Sequence, residues 1–304
     1  MTDTLEALAK QLEAHKNQYR VLRRFDRFVP STEKAGGSSS AMAKGVVVDV
    51  ETTGLDTARD KIIEFCGVPF EYQMDSGRIV SVGEAVTCLE DPGRPIPPEV
   101  TRLTGITNEM VAGKQIEEAA VSAMLADVGL VIAHNAAFDR PFVDRRLSAF
   151  RGMAWACSQR EVPWKALGVS SGALEFLMMK RCGLFFDGHR ADADCHAVLR
   201  LLQEPFDDGT LPMKTLLESA RTPSFLVWAL NSPYDKKDVL KQRRYRWSGG
   251  EGGRPKAWYT SVAEGDLAEE QAWLSAAIYD NGTGWKVERM DARSRYAEEA
   301  GGAS

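Results

Sequence analysis

One segment of the chain reads Val46-Val47-Val48-Asp49-Val50-Glu51-Thr52-Thr53-Gly54, a valine-rich run interrupted by two acids. The β-branched valines predict a buried strand. Side chains two residues apart on a strand leave the same face, so Asp49 and Glu51 should point in one direction. Two buried carboxylates each raise the free energy of the other's ionised form unless a cation lies between them. The pair therefore indicates either a divalent-metal site or a solvated strand end, and the spacing alone does not separate the two.

An α/β domain with a mixed β-sheet is predicted around this strand, over residues 45–204. Helical periodicity begins near Phe138 and again over residues 191–202. Further strands are predicted from apolar runs at 62–70, 79–88 and 128–133. Because strands and helices alternate along the chain, we expect helices to cover the sheet.

The segments that flank this domain have simpler patterns. Residues 1–30 are predicted to form an amphipathic helix, and residues 31–44, rich in Gly and Ser, a flexible linker. A second linker is expected at 205–221, although a helix-like pattern runs through part of it. The helical stripe consists of Leu5, Leu8, Leu12, His15, Tyr19 and Leu22.

A small, basic, tryptophan-rich α+β domain is predicted over residues 222–285, followed by a disordered tail at 286–304. Five of the seven tryptophans lie in this region. Residues 221–258 hold nine Lys or Arg and three Asp or Glu, a local charge of +6 that leaves −11 on the rest of the chain. Arg244, Arg246 and Trp247 are candidate contacts to phosphates and bases. Alternatively, the tryptophans simply supply a core to a domain this small.

Composition excludes several classes of protein. With 304 residues, 44% hydrophobic and 27% charged, the chain resembles an ordinary globular protein, and it has no apolar run long enough to span a membrane. The first residues include acids and no apolar signal core. Five scattered cysteines without a C-x-x-C pair argue against a disulfide framework or a zinc site. We therefore expect a cytoplasmic protein.

Two further motifs carry groups that suit metal chemistry. The first is His134-Asn135-Ala136-Ala137-Phe138-Asp139, and the second is Gly188-His189-Arg190-Ala191-Asp192-Ala193-Asp194. Each acid lies in the first turn of a predicted helix, where the helix dipole favours an acid without any functional reason. Taken alone, neither motif indicates a site, and Asp192 is as good a carboxylate as Asp194.

Taken together, the three motifs resemble the DnaQ-like exonuclease family in its DEDDh branch, which includes the proofreading epsilon subunit of bacterial DNA polymerase III. The resemblance rests on Asp49-x-Glu51, His134-Asn135-x-x-Phe138-Asp139 and His189-x(4)-Asp194, and on Thr52-Thr53-Gly54-Leu55 and the segment 96–111. It covers slightly over half of the chain. It implies a ribonuclease-H-like domain that removes nucleotides from 3′ ends by two-metal-ion hydrolysis.

The resemblance also implies roles for the matching residues. Asp49, Glu51, Asp139 and Asp194 would hold two Mg²⁺ ions, for which Mn²⁺ should substitute. His189 would be the general base, because an imidazole titrates close to neutral pH.

Two residues after the first acids are candidate substrate contacts. By the family pattern Thr52 and Leu55 would line the terminal nucleotide, with Leu55 against the last base. One departure is Thr104, where relatives often carry His. It places the choice between deoxyribose and ribose in doubt.

The leading hypothesis is a 3′–5′ exodeoxyribonuclease acting on single-stranded or frayed DNA ends in proofreading or repair. A 3′–5′ exoribonuclease and a non-catalytic nucleic-acid-binding scaffold are the alternatives. A polymerase or another protein is a candidate partner for the first helix, and no membrane partner is expected. No clamp-binding Q-x-x-[LM]-x-[FL] peptide stands out in the linkers.

Overall fold

A computed structural model of the chain describes residues 2–15, 17–31, 40–250 and 254–297. The helices are α1 (Thr2–Ala14), α2 (Pro98–Thr104), α3 (Asn108–Val111), α4 (Glu118–Met124), α5 (Ala136–Arg146), α6 (Leu174–Leu177), α7 (Ala191–Leu202), α8 (Pro212–Arg221), α9 (Lys237–Gln242) and α10 (Leu267–Ala277). The strands are β1 (Arg23–Arg24), β2 (Met42–Thr52), β3 (Ile62–Gln73), β4 (Ile79–Val82), β5 (Val86–Leu89), β6 (Val128–Ala133), β7 (Trp155–Cys157), β8 (Leu184–Phe185), β9 (Ser224–Ala229), β10 (Arg246–Trp247), β11 (Trp258–Ala263) and β12 (Trp285–Met290).

The larger sheet is mixed, as expected. Its order is β4-β3-β2-β6-β7, with β5 also paired to β3. Strand β2 is antiparallel to β3 and parallel to β6, and β6 is parallel to β7. The predicted α/β fold with a mixed sheet is therefore confirmed.

Strand β2 lies at the centre of this sheet and is covered on both faces. Val47 packs in a cluster with residues of α7, whereas Val46 and Val48 pack on the opposite side with residues of α5. A strand buried on both faces has no need of polar alternation, which explains the continuous run of valines. By the same alternation Asp49 and Glu51 lie on the face that α7 covers.

The smaller sheet is antiparallel, in the order β10-β11-β9-β12. Strands β10 and β11 form an antiparallel hairpin, with Trp247 opposite Trp258. Helices α9 and α10 supply Leu240 and Leu274 to a core that also contains Val227 and Tyr245. This α+β unit is called the terminal domain below.

The first 30 residues differ from the predicted single helix. Helix α1 ends at Ala14, and the chain then runs extended to pair β1 with β8 in parallel. Phe28 is buried against the main core. These distant contacts outweigh the local helical pattern, which continued through Tyr19. Of the predicted linker at 31–44, residues 32–39 lie outside the described residues, and Met42–Lys44 already belong to β2.

The predicted linker at 205–221 is largely helical. Helix α8 begins with Pro212, a favoured first helical residue. It buries Met213, Leu216 and Leu217 in the same cluster as α7. The connection is therefore part of the core of the larger domain. Its apolar residues at spacings of three and one form a helical stripe.

The expectation of a disordered tail from residue 286 is wrong for the residues that the structure describes. Strand β12 pairs with β9 along its whole length, and the alternation of Trp285 and Val287 with charged residues is a strand signal. Beyond it, Ala292 accepts a hydrogen bond from the Trp155 backbone at 2.6 Å. Residues 298–304 lie outside the described residues. None of the helices described here is long and apolar enough to cross a membrane.

Candidate active site

Three of the expected acids converge at the end of β2. Asp49 and Glu51 leave the same face of the strand, and Asp194 reaches them from the first turn of α7. Carboxylate oxygens of these three residues lie within 4.8 Å of one another. Strand β2 has a register irregularity between Glu51 and Thr52, so regular pairing is interrupted where the acids meet. The structure thus joins residues that are 145 positions apart in the sequence.

The fourth acid approaches from the other side of the sheet. Asp139 lies in the first turn of α5, and its side chain is buried. A hydrogen bond from the Val50 backbone lowers its pKa, but burial outweighs this effect. The charge of Asp139 raises the pKa values of Asp49 and Glu51, which places it beside the group of three.

The carboxyl groups are poorly stabilised as anions in the absence of a cation. Burial, followed by repulsion from Asp194, raises the pKa of Asp49 well above its usual range and that of Glu51 to about 8. Burial likewise raises the pKa of Asp139 to about 7 and that of Asp194 to about 6. Such mutual repulsion is relieved when a cation lies between the carboxylates.

The donor set fits a hard divalent cation. Among the described residues, no Lys or Arg forms a salt bridge with any of the four carboxylates, and all four offer oxygen atoms, which Mg²⁺ and Mn²⁺ prefer. Asp49, Glu51 and Asp194 would bind directly from one face. Asp139 would complete the site from the other face.

His189 lies in the loop before α7, exposed and close to Asp194. Its backbone is in the left-handed region, at φ 63°. The charge and backbone N–H of His189 both lower the pKa of Asp194, as does the backbone N–H of Arg190, at 3.2 Å from the carboxylate. The structure therefore places the expected base next to the expected metal ligand.

An ion pair between the exposed Arg190 and the buried Glu64 holds this loop, and the motifs did not reveal it. Glu64 lies opposite Glu51 in the register of β2 and β3. Its carboxylate accepts hydrogen bonds from Arg190 Nη2 at 2.8 Å and from the Ala191 backbone at 3.0 Å. The side chain of Glu64 is only 2% exposed. Glu64 interrupts the apolar run of β3, and this could have predicted the ion pair, since a buried carboxylate needs a partner.

The loop after β2 presents one of the two expected substrate contacts. Leu55 is 83% exposed, as a side chain poised against a base would be. Thr52 is buried and donates its hydroxyl hydrogen to the Gly54 carbonyl at 2.6 Å, so it shapes the loop. Arg94 braces the same loop through Asp60, at 2.6 Å.

Thr104, which departs from the family pattern, closes helix α2. It is buried, its hydroxyl donates to the Val100 carbonyl at 3.0 Å, and it accepts from the Ile106 backbone. His134, which begins the motif that ends at Asp139, also has a structural role. Burial lowers its pKa to about 4, and its ring contacts the Ser158 hydroxyl and the Gly172 carbonyl.

The remaining predicted contacts are not part of the acidic cluster. Arg244, Arg246 and Trp247 are exposed on the terminal domain and line a groove between it and the larger domain. Tyr245, between them, is buried and donates to Glu270 at 2.9 Å. Tyr245 therefore belongs to the core.

Comparison with known proteins agrees with the geometry. A family model described as Exonuclease (RNase_T) matches residues 46–202, just over half of the chain. The chain belongs to this exonuclease family. The matched range contains all four acids and His189, so the family expected from the three motifs is confirmed.

The curated relatives of this exonuclease are much longer proteins. The PolC-type DNA polymerase III of Clostridium perfringens is 32% identical over 143 residues, which are 45% of this chain and 9% of the polymerase. The PolC-type DNA polymerase III of Listeria welshimeri is 39% identical over 100 residues, which are 32% of this chain and 6% of the polymerase. The match thus covers less than a tenth of each polymerase.

Two solved structures are also similar. Exonuclease X in complex with 5′ overhanging duplex DNA is 28% identical, with a TM-score of 0.37, over 52% of this chain and 89% of that one. The zinc-bound complex of Escherichia coli ExoI with single-stranded DNA is 16% identical, with a TM-score of 0.47, over 73% of this chain and 63% of that one.

Proposed function

We propose that this exonuclease is a metal-dependent 3′–5′ exodeoxyribonuclease that acts on single-stranded or frayed DNA ends, in proofreading or repair. The observation that carries the proposal is the convergence of Asp49, Glu51 and Asp194 within 4.8 Å, with no salt bridge to a Lys or Arg among the described residues. Its matched relatives are DNA polymerases, which favours deoxyribose over ribose.

Each residue of the site has a distinct proposed role. Asp49, Glu51, Asp139 and Asp194 hold two Mg²⁺ ions, which when bound stabilise charge on the entering and leaving oxygens of the phosphodiester. His189, exposed beside Asp194, accepts the proton of the attacking water. Leu55 packs against the terminal base, and Thr52 maintains the loop that presents it.

A protein partner is proposed for helix α1. Leu5 and Leu8, which lie on the predicted apolar stripe, are 65% and 50% exposed. An apolar stripe without a covering surface is typical of a docking helix. A DNA polymerase is the partner that the relatives suggest, and the cytoplasm is the compartment in which the two would meet.

Labelled single strands test the proposal directly. The full chain is incubated with 5′-labelled DNA and RNA of one sequence, with Mg²⁺, with Mn²⁺ or with EDTA. We expect a ladder that shortens from the 3′ end of DNA only when metal is present. Faster shortening of RNA than of DNA would identify an exoribonuclease instead. Binding without any shortening would indicate a non-catalytic nucleic-acid-binding scaffold.

A further inference from the structure

A groove of about 960 Å³ lies between the exonuclease domain and the terminal domain. One wall comes from the exonuclease domain, at the loop after β2, the start of α5 and the turn after β7. The other wall comes from β10 and β11 of the terminal domain, with Ser248 and Arg254. The lining residues used below are Thr57, Ala137, Arg160, Arg244, Arg246 and Trp247, together with Arg254.

Two residues of the groove lining lie in segments next to the acids of the site. Thr57 lies two residues beyond Leu55, in the loop that follows the first two acids. Ala137 lies in α5 two residues before Asp139. The loop after β2 and the first turn of α5 therefore connect the groove with the segments that carry the acids.

Four arginines in the groove carry uncompensated positive charge. Arg160, Arg244, Arg246 and Arg254 are exposed, and none forms a salt bridge with a carboxylate in the described parts of the chain. The one acid in the lining, Glu161, is already paired with Arg295 at 3.1 Å and bonded to Tyr296 at 2.9 Å. The groove thus has a net attraction for anions.

One aromatic side chain supplies a stacking surface. Trp247 is 51% exposed, although large aromatic rings are usually buried. Trp258 supports it edge-on, with ring centroids 5.6 Å apart. A ring that is supported from one side and open on another can stack on a base.

We propose that this groove is the binding path for the single strand on the 5′ side of the nucleotide being removed. Arginines from both domains contact phosphates, and Trp247 stacks on a base. This inference rests on the proposed function, because it assumes a nucleic-acid 3′ end at the acidic site. Alternating phosphates and bases match a surface that combines arginines with an aromatic ring.

The first test measures binding to an oligothymidylate of about 20 nucleotides in EDTA, over a range of salt concentrations. The double variant Arg160→Gln/Arg246→Gln removes one arginine from each wall. The matched control is Lys10→Gln/Lys165→Gln, which removes two exposed cations outside the groove. We expect the groove variant to bind about tenfold more weakly and to lose about 1.4 from its salt slope, at roughly 0.7 for each phosphate contact on a single strand.

The second test separates the groove from the chemistry. The nitrophenyl ester of thymidine 5′-monophosphate occupies only the acidic site. The groove variant should hydrolyse it as fast as the unchanged chain while degrading the oligothymidylate more slowly. Trp247→Ala should likewise affect only the long substrate. The proposed binding path would be overturned if the groove variant bound with the same affinity and salt slope as the control variant. It would also be overturned if the groove variant lost the same factor in hydrolysis rate on both substrates. If the unchanged chain hydrolyses neither substrate, the proposed function itself fails.

Discussion

The two sheets of this protein present charge in opposite ways. In the larger sheet, Asp49 and Glu51 leave the end of a buried strand and meet Asp194, so like charges converge. In the terminal domain, Arg244 and Arg246 are exposed at the start of the β10–β11 hairpin, so like charges remain in contact with water. Converging anions suit a small divalent cation, whereas spread cations suit an extended polyanion.

At the contact between the two domains, buried charged side chains have partners within the protein. Buried Arg140 donates to the carbonyls of Arg295, at 2.5 Å, and Arg293, at 2.6 Å. Glu161 pairs with Arg295 and also accepts from the Cys157 backbone at 2.9 Å. Buried charges at this contact are paired and hydrogen-bonded, as stability requires. The acids of the site and the four exposed arginines of the groove have no such salt bridges among the described residues, which is a pattern typical of functional surfaces.

Removing one converging acid should have the largest effect. We expect Asp49→Asn to lower kcat on single-stranded DNA by roughly 10³-fold, because several kcal/mol of transition-state stabilisation depend on the cations. Asp192→Asn is the control, since Asp192 is exposed on α7, the helix that carries Asp194, and lies outside the acidic cluster. Activity of the Asp49 variant within tenfold of the unchanged chain would remove this residue from the site.

Loss of the base should cost less. His189→Gln should lower kcat by about 100-fold, the usual contribution of a general base. A base acts only when unprotonated, so the rate of the unchanged chain should rise with pH under saturating metal. The variant should lose much of that rise, and exposed His15→Gln should keep it. A pH profile that is the same in both proteins would contradict the role of His189.

The Glu64–Arg190 pair that holds the His189 loop should have an intermediate effect. Glu64→Gln weakens the contacts to Arg190 and Ala191, so kcat should fall about tenfold with little change in KM, while stability falls by ~1–3 kcal/mol. Glu71→Gln, on the exposed part of the same strand, should change neither quantity. If kcat stays constant while stability falls, the pair has only a structural role.

The smallest effect concerns stability and pH. The raised pKa values of Glu51, Asp139 and Asp194 mean that the folded chain holds protons which the unfolded chain releases near pH 4. In EDTA these groups should therefore lower Tm as pH rises from about 4 to about 8. Mn²⁺ should raise Tm by a few degrees near pH 8 and by less near pH 5.

Asp49→Asn sharpens this last measurement. The substitution removes one repelling charge, so in EDTA the variant should lose less Tm between these two pH values. It should also lose most of the Tm gain from Mn²⁺. Equal gains with and without Asp49 would show that the metal stabilises the protein elsewhere.

Local patterns were sufficient for the elements that carry the site. The valine run predicted β2, and the apolar spacing over residues 191–202 predicted α7, whose bounds match Ala191–Leu202. These elements form where residues near in sequence share one periodicity, so a single sequence contains the information.

Errors arose where distant contacts overrode or extended a local pattern. Helix α1 ends early because β1 pairs with β8, about 160 residues away. Helix α8 and strand β12 have clear periodicity, but the predictions placed them in a linker and in a disordered tail. Their apolar faces pack on α7 and on β9, which the sequence does not indicate.

The sequence by itself determined the family, the identity of the acids and the histidine, and the separation of negative from positive charge. These properties depend on residue type and local spacing. Only the tertiary structure decided that Glu64 holds Arg190, that Asp139 reaches the site from the opposite face, and that arginines of two domains share one groove. Contacts of this kind join residues tens to more than a hundred positions apart, and they exist only once the packed core has brought their elements together.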